Sequence, residues 1–319
     1  MNRQLTTDRT GTTMTIGTGT RMGRRAAIAA TAGAVLSTGV LTAAPAQAAP
    51  SAPTVSAQGA YAMNAATGRT LFGKAADTEL RTGSTTKIMT ALVVLSQRNV
   101  DLGRKVKIKK EYTDYVVDPK THQLRYSTAK LILGDSMKVG DLLYGLMLRS
   151  GCDAAYALAD TYGSGSTTAQ RTKSFIAKMN SKAHELGMTH THFDSFDGVS
   201  NGKNHASPRD LAKLAGVALK NKTFKKVVGT KVYPDMQSYR PGGGTHAMEA
   251  WKNTNTLLNT YQGAIGVKTG SGPEAKFCLV FAATRGGRTV VGTVLADTTD
   301  DERFKDAKNI LDYGFAQRG

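Results

Sequence analysis

A serine and a lysine three residues apart stand just before a long apolar run, and such a pair can act as a nucleophile and its base. Gly83 allows a tight turn into a helix, Ser84 follows in the first helical turn, and Lys87 lies on the same helix face. Residues 88–95 are apolar on nearly every side, which predicts a helix buried inside the protein. A lysine shielded from water there gives up its proton more readily and can accept one from a neighbouring serine. The segment therefore predicts covalent catalysis with Ser84 as the nucleophile.

The spacing of this pair is not unusual by itself, because it occurs twice more in the chain, at 127–130 and 200–203. Neither copy precedes a long apolar helix, so neither is expected to bury its lysine. Other segments of the chain must decide whether the first copy is functional.

Two later segments support the first copy. Ser150 lies where a predicted helix over 139–148 meets a second helix that begins near residue 152. Lys268-Thr269-Gly270 is predicted at the end of a late strand, before a turn at 271–273. A lysine and a hydroxyl at a strand end can bind a carboxylate, and the glycine lets a peptide-like ligand approach the backbone.

Taken together, these segments resemble the three motifs of the penicillin-recognising serine acyltransferases. Ser150 follows Ser84 by 66 residues, and Lys268 follows Ser150 by 118 residues. The resemblance runs roughly from Gly59 to the final helix and is closest to the low-molecular-weight penicillin-binding proteins, the D-alanyl-D-alanine carboxypeptidases and transpeptidases. It implies the α+β fold of penicillin-binding proteins and β-lactamases, an antiparallel sheet flanked by helices with an inserted all-helical region.

The resemblance also implies catalytic roles. Ser84 would attack the carbonyl between the two terminal D-alanines of a peptidoglycan stem peptide while Lys87 takes its proton. Ser150, assisted by Lys268, would relay a proton to the leaving amine. The acyl-enzyme would pass to water in a carboxypeptidase or to an amine acceptor in a transpeptidase, and β-lactams would acylate the same serine. No metal and no cofactor is expected.

A second set of residues is implied to bind the substrate. Lys268 and Thr269 would hold its terminal carboxylate, and Gly270 would let it approach the strand. The backbone N–H groups of Ser84 and Ser271 would form an oxyanion hole, because donors fixed in that geometry stabilise the charge that develops during acyl transfer.

One position departs from the family pattern. The second motif usually reads Ser-x-Asn, and here Cys152 stands in place of the asparagine. A thiol is a weak donor and a poor acceptor, so the balance between hydrolysis and transpeptidation is open at this stage. Streptomycete members of the family are similar at this position. Cys152 is therefore kept among the catalytic candidates, and direct thiol chemistry stays an alternative.

The order of predicted elements suggests how the chain is organised. Short strands occur at both ends of the region after residue 57, and helices fill the middle. We therefore predict one catalytic domain over 57–319, with a sheet subdomain from 57–100 and 250–319 and a helical insertion at 101–249. Ser207, Pro208 and Asp210 predict a capped helix start with a capping box.

The N-terminus has the three parts of a secretory signal peptide. A basic segment ending in Arg24-Arg25 precedes a mildly apolar stretch, and Ala46-Gln47-Ala48 is a small-residue cleavage pattern. The paired arginines suggest the twin-arginine route. Cleavage after Ala48 predicts an exported protein, extracellular or associated with the cell wall, with a flexible lead-in at 49–56 and no membrane anchor.

Composition limits the partners. Residues 1–48 contain five Arg and one Asp, so their removal lowers the net charge from +18 to +14. A basic protein of this kind attracts polyanions, and for an exported protein an anionic cell-wall polymer is the expected one. Nucleic acid is not expected, because aromatic residues are few and no reader motif occurs.

Several alternatives remain open from the sequence alone. A β-lactamase would need a Glu-x-x-x-Asn carboxylate, and only Glu249 to Asn253 has that spacing, late in the chain. Residues 198–202 match the Gly-x-Ser-x-Gly elbow of α/β-hydrolases, but no strand is predicted before them. His190-Thr191-His192 could bind a metal ion. A slowly acylating penicillin sensor without turnover is a further possibility. The two cysteines, at 152 and 278, predict either a disulfide or two buried thiols.

Overall fold

The structure, a computed structural model, describes residues 51–200 and 202–317, so the predicted signal peptide over 1–48 lies outside the described residues. The helices are α1 Lys87–Leu95, α2 Lys110–Tyr115, α3 Val139–Leu148, α4 Cys152–Tyr162, α5 Thr168–Glu185, α6 Pro208–Ala218, α7 Lys222–Gly229, α8 Leu257–Thr260 and α9 Asp300–Ala316. The strands are β1 Gly59–Asn64, β2 Thr70–Lys74, β3 Lys105–Lys107, β4 Ser136–Lys138, β5 Thr191–His192, β6 His205–Ala206, β7 Val232–Tyr233, β8 Gln237–Tyr239, β9 Thr245–Ala247, β10 Trp251–Lys252, β11 Ala264–Gly272, β12 Lys276–Arg285 and β13 Arg288–Asp297.

Both ends of the described chain build one antiparallel sheet, in the order β11-β12-β13-β1-β2. Gly286 and Gly287 have φ angles of 53° and 75°, as a tight hairpin turn requires, so β12 and β13 pair directly across them. Successive residues of β12 face opposite sides of the sheet. Phe281 packs with α9 on one side, and Val280 packs with the inner helices on the other.

The apolar segment after Lys87 forms α1, and each of its nine residues is buried. The sequence predicted Ser84 in the first turn of this helix. The structure instead places it in a 3-10 turn over Gly83–Thr86 that leads into the helix. Side chains three residues apart eclipse in a 3-10 turn, so the tighter geometry still stacks the serine close to the lysine.

The inserted region is not all-helical, which corrects the sequence prediction. It contains a four-stranded sheet in the order β3-β4-β8-β9 beside its helices. The polar, glycine-rich stretch over 233–246 supplies β8 and most of β9. Its inner contacts are polar, because Ser238 donates to Asp135 and His246 Nδ1 lies 2.6 Å from the same carboxylate. Polar contacts of this kind leave no hydrophobic pattern in the sequence.

The start of α6 is capped differently from the prediction. Ser207 Oγ accepts the Asp210 N–H at 3.1 Å, but the Asp210 carboxylate does not return a bond to Ser207. It accepts the His190 N–H and the Thr191 hydroxyl, each at 2.9 Å. The capping box is therefore half formed, because the carboxylate fixes a neighbouring loop instead.

The described part of the predicted lead-in is attached to the fold at its end. Val55 is buried, and its carbonyl accepts from Lys74 Nζ at 2.8 Å. Ser56 donates to Asp297 at 2.6 Å through its hydroxyl and to Asp306 at 2.7 Å through its N–H. Residues 51–54 precede this attachment point.

Candidate active site

The 3-10 turn positions the serine of the first motif over the lysine that follows. Gly83 has a φ of 49°, a left-handed conformation that glycine adopts without strain. Lys87 is fully buried, and its Nζ donates to Ser84 Oγ at 2.9 Å. The same nitrogen donates to the Asp197 carbonyl oxygen at 2.7 Å and to Cys152 Sγ at 3.4 Å. Three acceptors thus surround one amine at the base of the site.

The second motif presents its cysteine, not its serine, to this lysine. Ser150 has a φ of 58°, and its carbonyl accepts from Ser127 Oγ at 2.9 Å. Among the described residues its own hydroxyl has no hydrogen-bond partner. Burial raises the pKa of the Cys152 thiol to about 12, although the positive charge of Lys87 acts in the opposite direction. Because the thiolate is the reactive form, a thiol held protonated is a poor nucleophile.

This environment predicts that neither cysteine reacts in the folded protein. Both thiols are free and buried, so no disulfide links them, and burial also raises the pKa of Cys278 to about 11. Iodoacetamide at about pH 8 should leave the native protein unmodified, because both groups then stay protonated. The same reagent should add two labels after denaturation, as mass spectrometry would show. Fast labelling of Cys152 in the native protein would contradict this environment.

The third motif lies within a strand, not at its end. β11 continues to Gly272, which pairs with Lys276, so the turn follows at 273–275. Lys268 is 1 % exposed, and its Nζ donates to the Thr269 carbonyl oxygen at 2.8 Å. Burial holds the pKa of Lys268 well below its usual range, and repulsion from Lys87 and Arg303 adds to the effect.

A cavity of about 550 Å³ opens above these motifs. Of the predicted site residues, its walls include Ser84, Cys152 and Ser271. The remaining predicted residues are not part of the cavity lining: Lys87, Ser150, Lys268, Thr269 and Gly270. The cavity therefore exposes the nucleophile candidate and keeps both lysines away from bulk solvent.

Comparison with known proteins identifies the family. The family model described as D-alanyl-D-alanine carboxypeptidase, peptidase family S11, matches residues 46–299. The chain belongs to this family. It is 59% identical over 296 residues to a D-alanyl-D-alanine carboxypeptidase of Streptomyces sp. (strain K15), covering 93% of this chain and 99% of that protein. It is 33% identical over 254 residues to DacF of Bacillus subtilis (strain 168), covering 79% of this chain but 60% of DacF.

A solved structure confirms the predicted fold of this S11 enzyme. The crystal structure of the Streptomyces K15 DD-transpeptidase superposes with a TM-score of 0.81 at 60% sequence identity. The match covers 84% of this chain and the whole of that one. The chain is therefore a serine-type enzyme of the D-Ala-D-Ala carboxypeptidase and DD-transpeptidase group.

The two sequence patterns typical of other enzyme classes, Gly-x-Ser-x-Gly and Glu-x-x-x-Asn, make ordinary structural contacts in this chain. Ser200 donates to Asp194 and accepts the Asn204 N–H, and the strand that follows it replaces the helix that a nucleophile elbow requires. Glu249, the carboxylate of the β-lactamase pattern, is exposed and pairs with Lys130 at 2.9 Å. Both patterns are chance matches.

The described part of the chain contains neither of two further features, a metal-binding cluster and a membrane-spanning helix. No group of three or more histidine, cysteine, aspartate or glutamate side chains is arranged there to hold a metal ion, and His190 and His192 are not part of one. Within the same residues, no helix combines the length and apolarity needed to span a membrane.

Several residues at the site carried no signal in the sequence. Asn204 Nδ2 donates to Thr82 Oγ1 at 2.6 Å and to Thr86 Oγ1 at 2.9 Å, which fixes the turn around Ser84. Arg303 Nη1 donates to the Gly270 carbonyl oxygen at 2.8 Å and so supports the third motif from behind. These contacts join residues more than 30 positions apart in the sequence, so no short sequence motif predicts them.

Gly198, in the loop over 193–204, packs against the main chain of the nucleophile turn. Its φ is 93°, and a Cβ there would stand 2.0 Å from the Gly83 carbonyl oxygen. Gly198→Ala should therefore lower the free energy of unfolding by about 3 kcal/mol and displace the turn. Gly202→Ala is the matched control, because Gly202 has a φ of 100° with nothing within 4 Å. Urea denaturation of both variants would measure the difference, and equal losses would show that the contact with Gly83 is unimportant.

Proposed function

We propose that Ser84 is the residue acylated by the D-Ala-D-Ala end of a peptidoglycan stem peptide and by β-lactams. The observation that carries this assignment is the 2.9 Å contact between Lys87 Nζ and Ser84 Oγ at the wall of the cavity. A serine hydroxyl is a weak nucleophile unless an adjacent base takes its proton, and the buried amine is that base.

The proton moves along a short path in this mechanism. With the amine of Lys87 neutral, the Ser84 hydroxyl donates toward Nζ. As Oγ bonds to the substrate carbonyl carbon, the proton passes to Nζ, and the resulting ammonium donates to Oγ, the Asp197 carbonyl and Cys152 Sγ. Collapse of the tetrahedral intermediate returns the proton to the leaving D-alanine amine. We assign that relay to Ser150, whose hydroxyl has no hydrogen-bond partner among the described residues, with assistance from Lys268.

The edge of the central sheet is the proposed peptide-binding surface. β11 is the outer strand of that sheet, and an extended peptide can add to such an edge through main-chain hydrogen bonds. Gly270 keeps this edge close to the nucleophile turn, because a Cβ there would lie 2.8 Å from the Thr82 carbonyl oxygen. The N–H groups of Ser84 and Ser271 form the oxyanion hole in this arrangement.

The terminal carboxylate is proposed to bind beside the third motif. Lys268 lies close enough to Lys87 and Arg303 for their charges to lower its pKa. A bound carboxylate offsets their mutual repulsion and favours the charged form of Lys268, which burial otherwise disfavours. Thr269 Oγ1 lies 2.6 Å from Thr254 Oγ1, which orients its hydroxyl for the same ligand.

The setting of the reaction is also part of the proposal. We infer export by the 1–48 signal peptide, through the twin-arginine route, to a site outside the cytoplasm. The processed chain then carries a net charge of +14, which favours contact with an anionic cell-wall polymer.

Incubation of the processed protein with penicillin, followed by peptide mapping by mass spectrometry, tests the assignment. We expect one adduct, on the peptide that contains Ser84. A D-Ala-D-Ala peptide should then release D-alanine, and an added amine acceptor should divert part of the acyl group from water. A stable Ser84 adduct without any peptide turnover would favour the penicillin sensor, and an adduct elsewhere would overturn the assignment.

A further inference from the structure

A buried carboxylate lies next to the serine–lysine pair and has no part in the mechanism described above. Asp197 is fully shielded from solvent, and its Oδ1 accepts the Val199 N–H at 2.9 Å. Its Oδ2 has no hydrogen-bond partner among the described residues. An ionised carboxylate buried with an unpaired oxygen is costly, so this position calls for a physical explanation.

The loop that carries this carboxylate does not depend on it for attachment. Thr90 Oγ1, in α1, donates to the Phe196 carbonyl oxygen at 2.5 Å. The Phe193 N–H donates to Asn180 Oδ1 at 2.9 Å, and Asn180 Nδ2 donates back to the Phe193 carbonyl at 2.8 Å. These bonds hold the loop to its neighbours through its main chain. The Asp197 side chain is therefore available for another purpose.

The surroundings of Asp197 connect it to the reacting proton. Its carbonyl oxygen is one of the three acceptors of Lys87 Nζ. Its carboxylate interacts with the Cys152 thiol, whose pKa it raises further after the larger effect of burial. It acts on the Tyr115 hydroxyl in the same way, again after burial. The Asp197 main chain thus contacts the lysine directly, and the Cys152 thiol is influenced by both side chains.

Two other basic side chains lie near the lysine, Lys268 on β11 and Arg303 on α9. Burial lowers the pKa of Lys268, and repulsion from Lys87 and Arg303 adds to the effect. Tyr115 from α2 and Cys152 from α4 are the remaining titratable groups, and both stay neutral at physiological pH. Asp300 pairs with Arg303, so Asp197 is the acidic residue whose main chain contacts Lys87 among the described residues.

We propose that Asp197 is a positioning residue whose carboxylate stabilises the ammonium form of Lys87 that acylation creates. In that step the Ser84 O–H bond breaks, the Oγ–carbon bond forms and the proton moves to Lys87, while Asp197 keeps its negative charge. Cys152 is the group on which both residues act, because its sulfur accepts from Lys87 Nζ at 3.4 Å and the carboxylate raises the pKa of its thiol. The inference rests on the roles proposed above for Ser84 and Lys87.

The pH dependence of penicillin acylation tests this role. Asp197→Asn keeps the acceptor for the Val199 N–H and removes the charge. The lysine should then hold its proton less strongly, so the acid limb of the rate profile moves to lower pH by about one unit. The weaker base should also lower the plateau rate about 10-fold. The variant should unfold at the same temperature as the wild type or above it, because the unpaired charge is gone.

Asp194→Asn is the matched control, since Asp194 lies in the same loop and accepts from Ser200 and the Lys203 N–H. The acid limb of the pH–rate profile of Asp194→Asn should stay at the wild-type pH even if the loop loosens. Asp197→Ser, with no charge but a smaller side chain, must reproduce the shift of Asp197→Asn. An unshifted profile in both Asp197 variants would overturn the inference. If wild-type protein itself formed no Ser84 adduct, the failure would lie in the proposed function instead.

Discussion

Replacement of Ser84 by alanine is expected to abolish covalent penicillin binding and turnover of D-Ala-D-Ala peptides. Both reactions require the oxygen that Lys87 contacts at 2.9 Å, and no other hydroxyl among the described residues lies in that position. Loss of an acyl-forming nucleophile removes the covalent route altogether, and the residual rate falls by at least about 10⁴-fold. Intact-protein mass spectrometry after long incubation with penicillin would measure the adduct. The melting temperature should change little, because one half-buried hydroxyl is removed.

One control variant and one contradicting outcome make this result specific. Ser200→Ala removes the serine of the rival Gly-x-Ser-x-Gly pattern, which also borders the cavity, and that variant should still carry its adduct on Ser84. A penicillin adduct on Cys152 in Ser84→Ala would contradict the assignment, since it would show that the thiol reacts despite its raised pKa.

The main sheet could be predicted because its signals are local and apolar. Largely apolar runs along β12 and β13, with the Gly286-Gly287 turn between them, predict a hairpin from sequence alone. The small sheet of the inserted region could not be predicted in this way. Its strands contain three residues each, and Asp135 joins them through a hydroxyl and an imidazole. A sheet closed by polar contacts resembles a loop when only hydropathy is considered.

The candidate site likewise combines a local contact, which the sequence predicts, with long-range contacts, which it does not. The contact between Ser84 and Lys87 is local, so their spacing predicts it whether the turn is a 3-10 turn or an α-helix. The neighbourhood of Cys152 and Asp197 is not local, because these residues reach Lys87 from 65 and 110 positions away. The family resemblance placed the second motif near the lysine, but it did not indicate that Ser150 would adopt a left-handed conformation.

Lys87→Met is expected to lower the rate of penicillin acylation about 10³-fold at neutral pH. General base catalysis by a positioned side chain contributes roughly 10²- to 10⁴-fold, and no other base lies in contact with Ser84 Oγ among the described residues. Methionine has a similar length and fills the buried space without a charge. The variant should therefore be at least as stable as the wild type, because the desolvation cost of a buried amine disappears. Stopped-flow acylation and thermal unfolding would measure the two effects.

The second Ser-x-x-Lys copy supplies the matched control for this substitution. Lys130 is 54 % exposed and pairs with Glu249, so Lys130→Met should leave acylation within about two-fold, because exposed ion pairs contribute little. Both lysines stand three residues after a serine. A difference between the two variants would therefore come from the burial of Lys87 and its contact with Ser84. A residual acylation rate in Lys87→Met near that of the wild type would mean that another group takes the proton. Lys268 would then be the group to test, because its lowered pKa already favours the neutral, proton-accepting form.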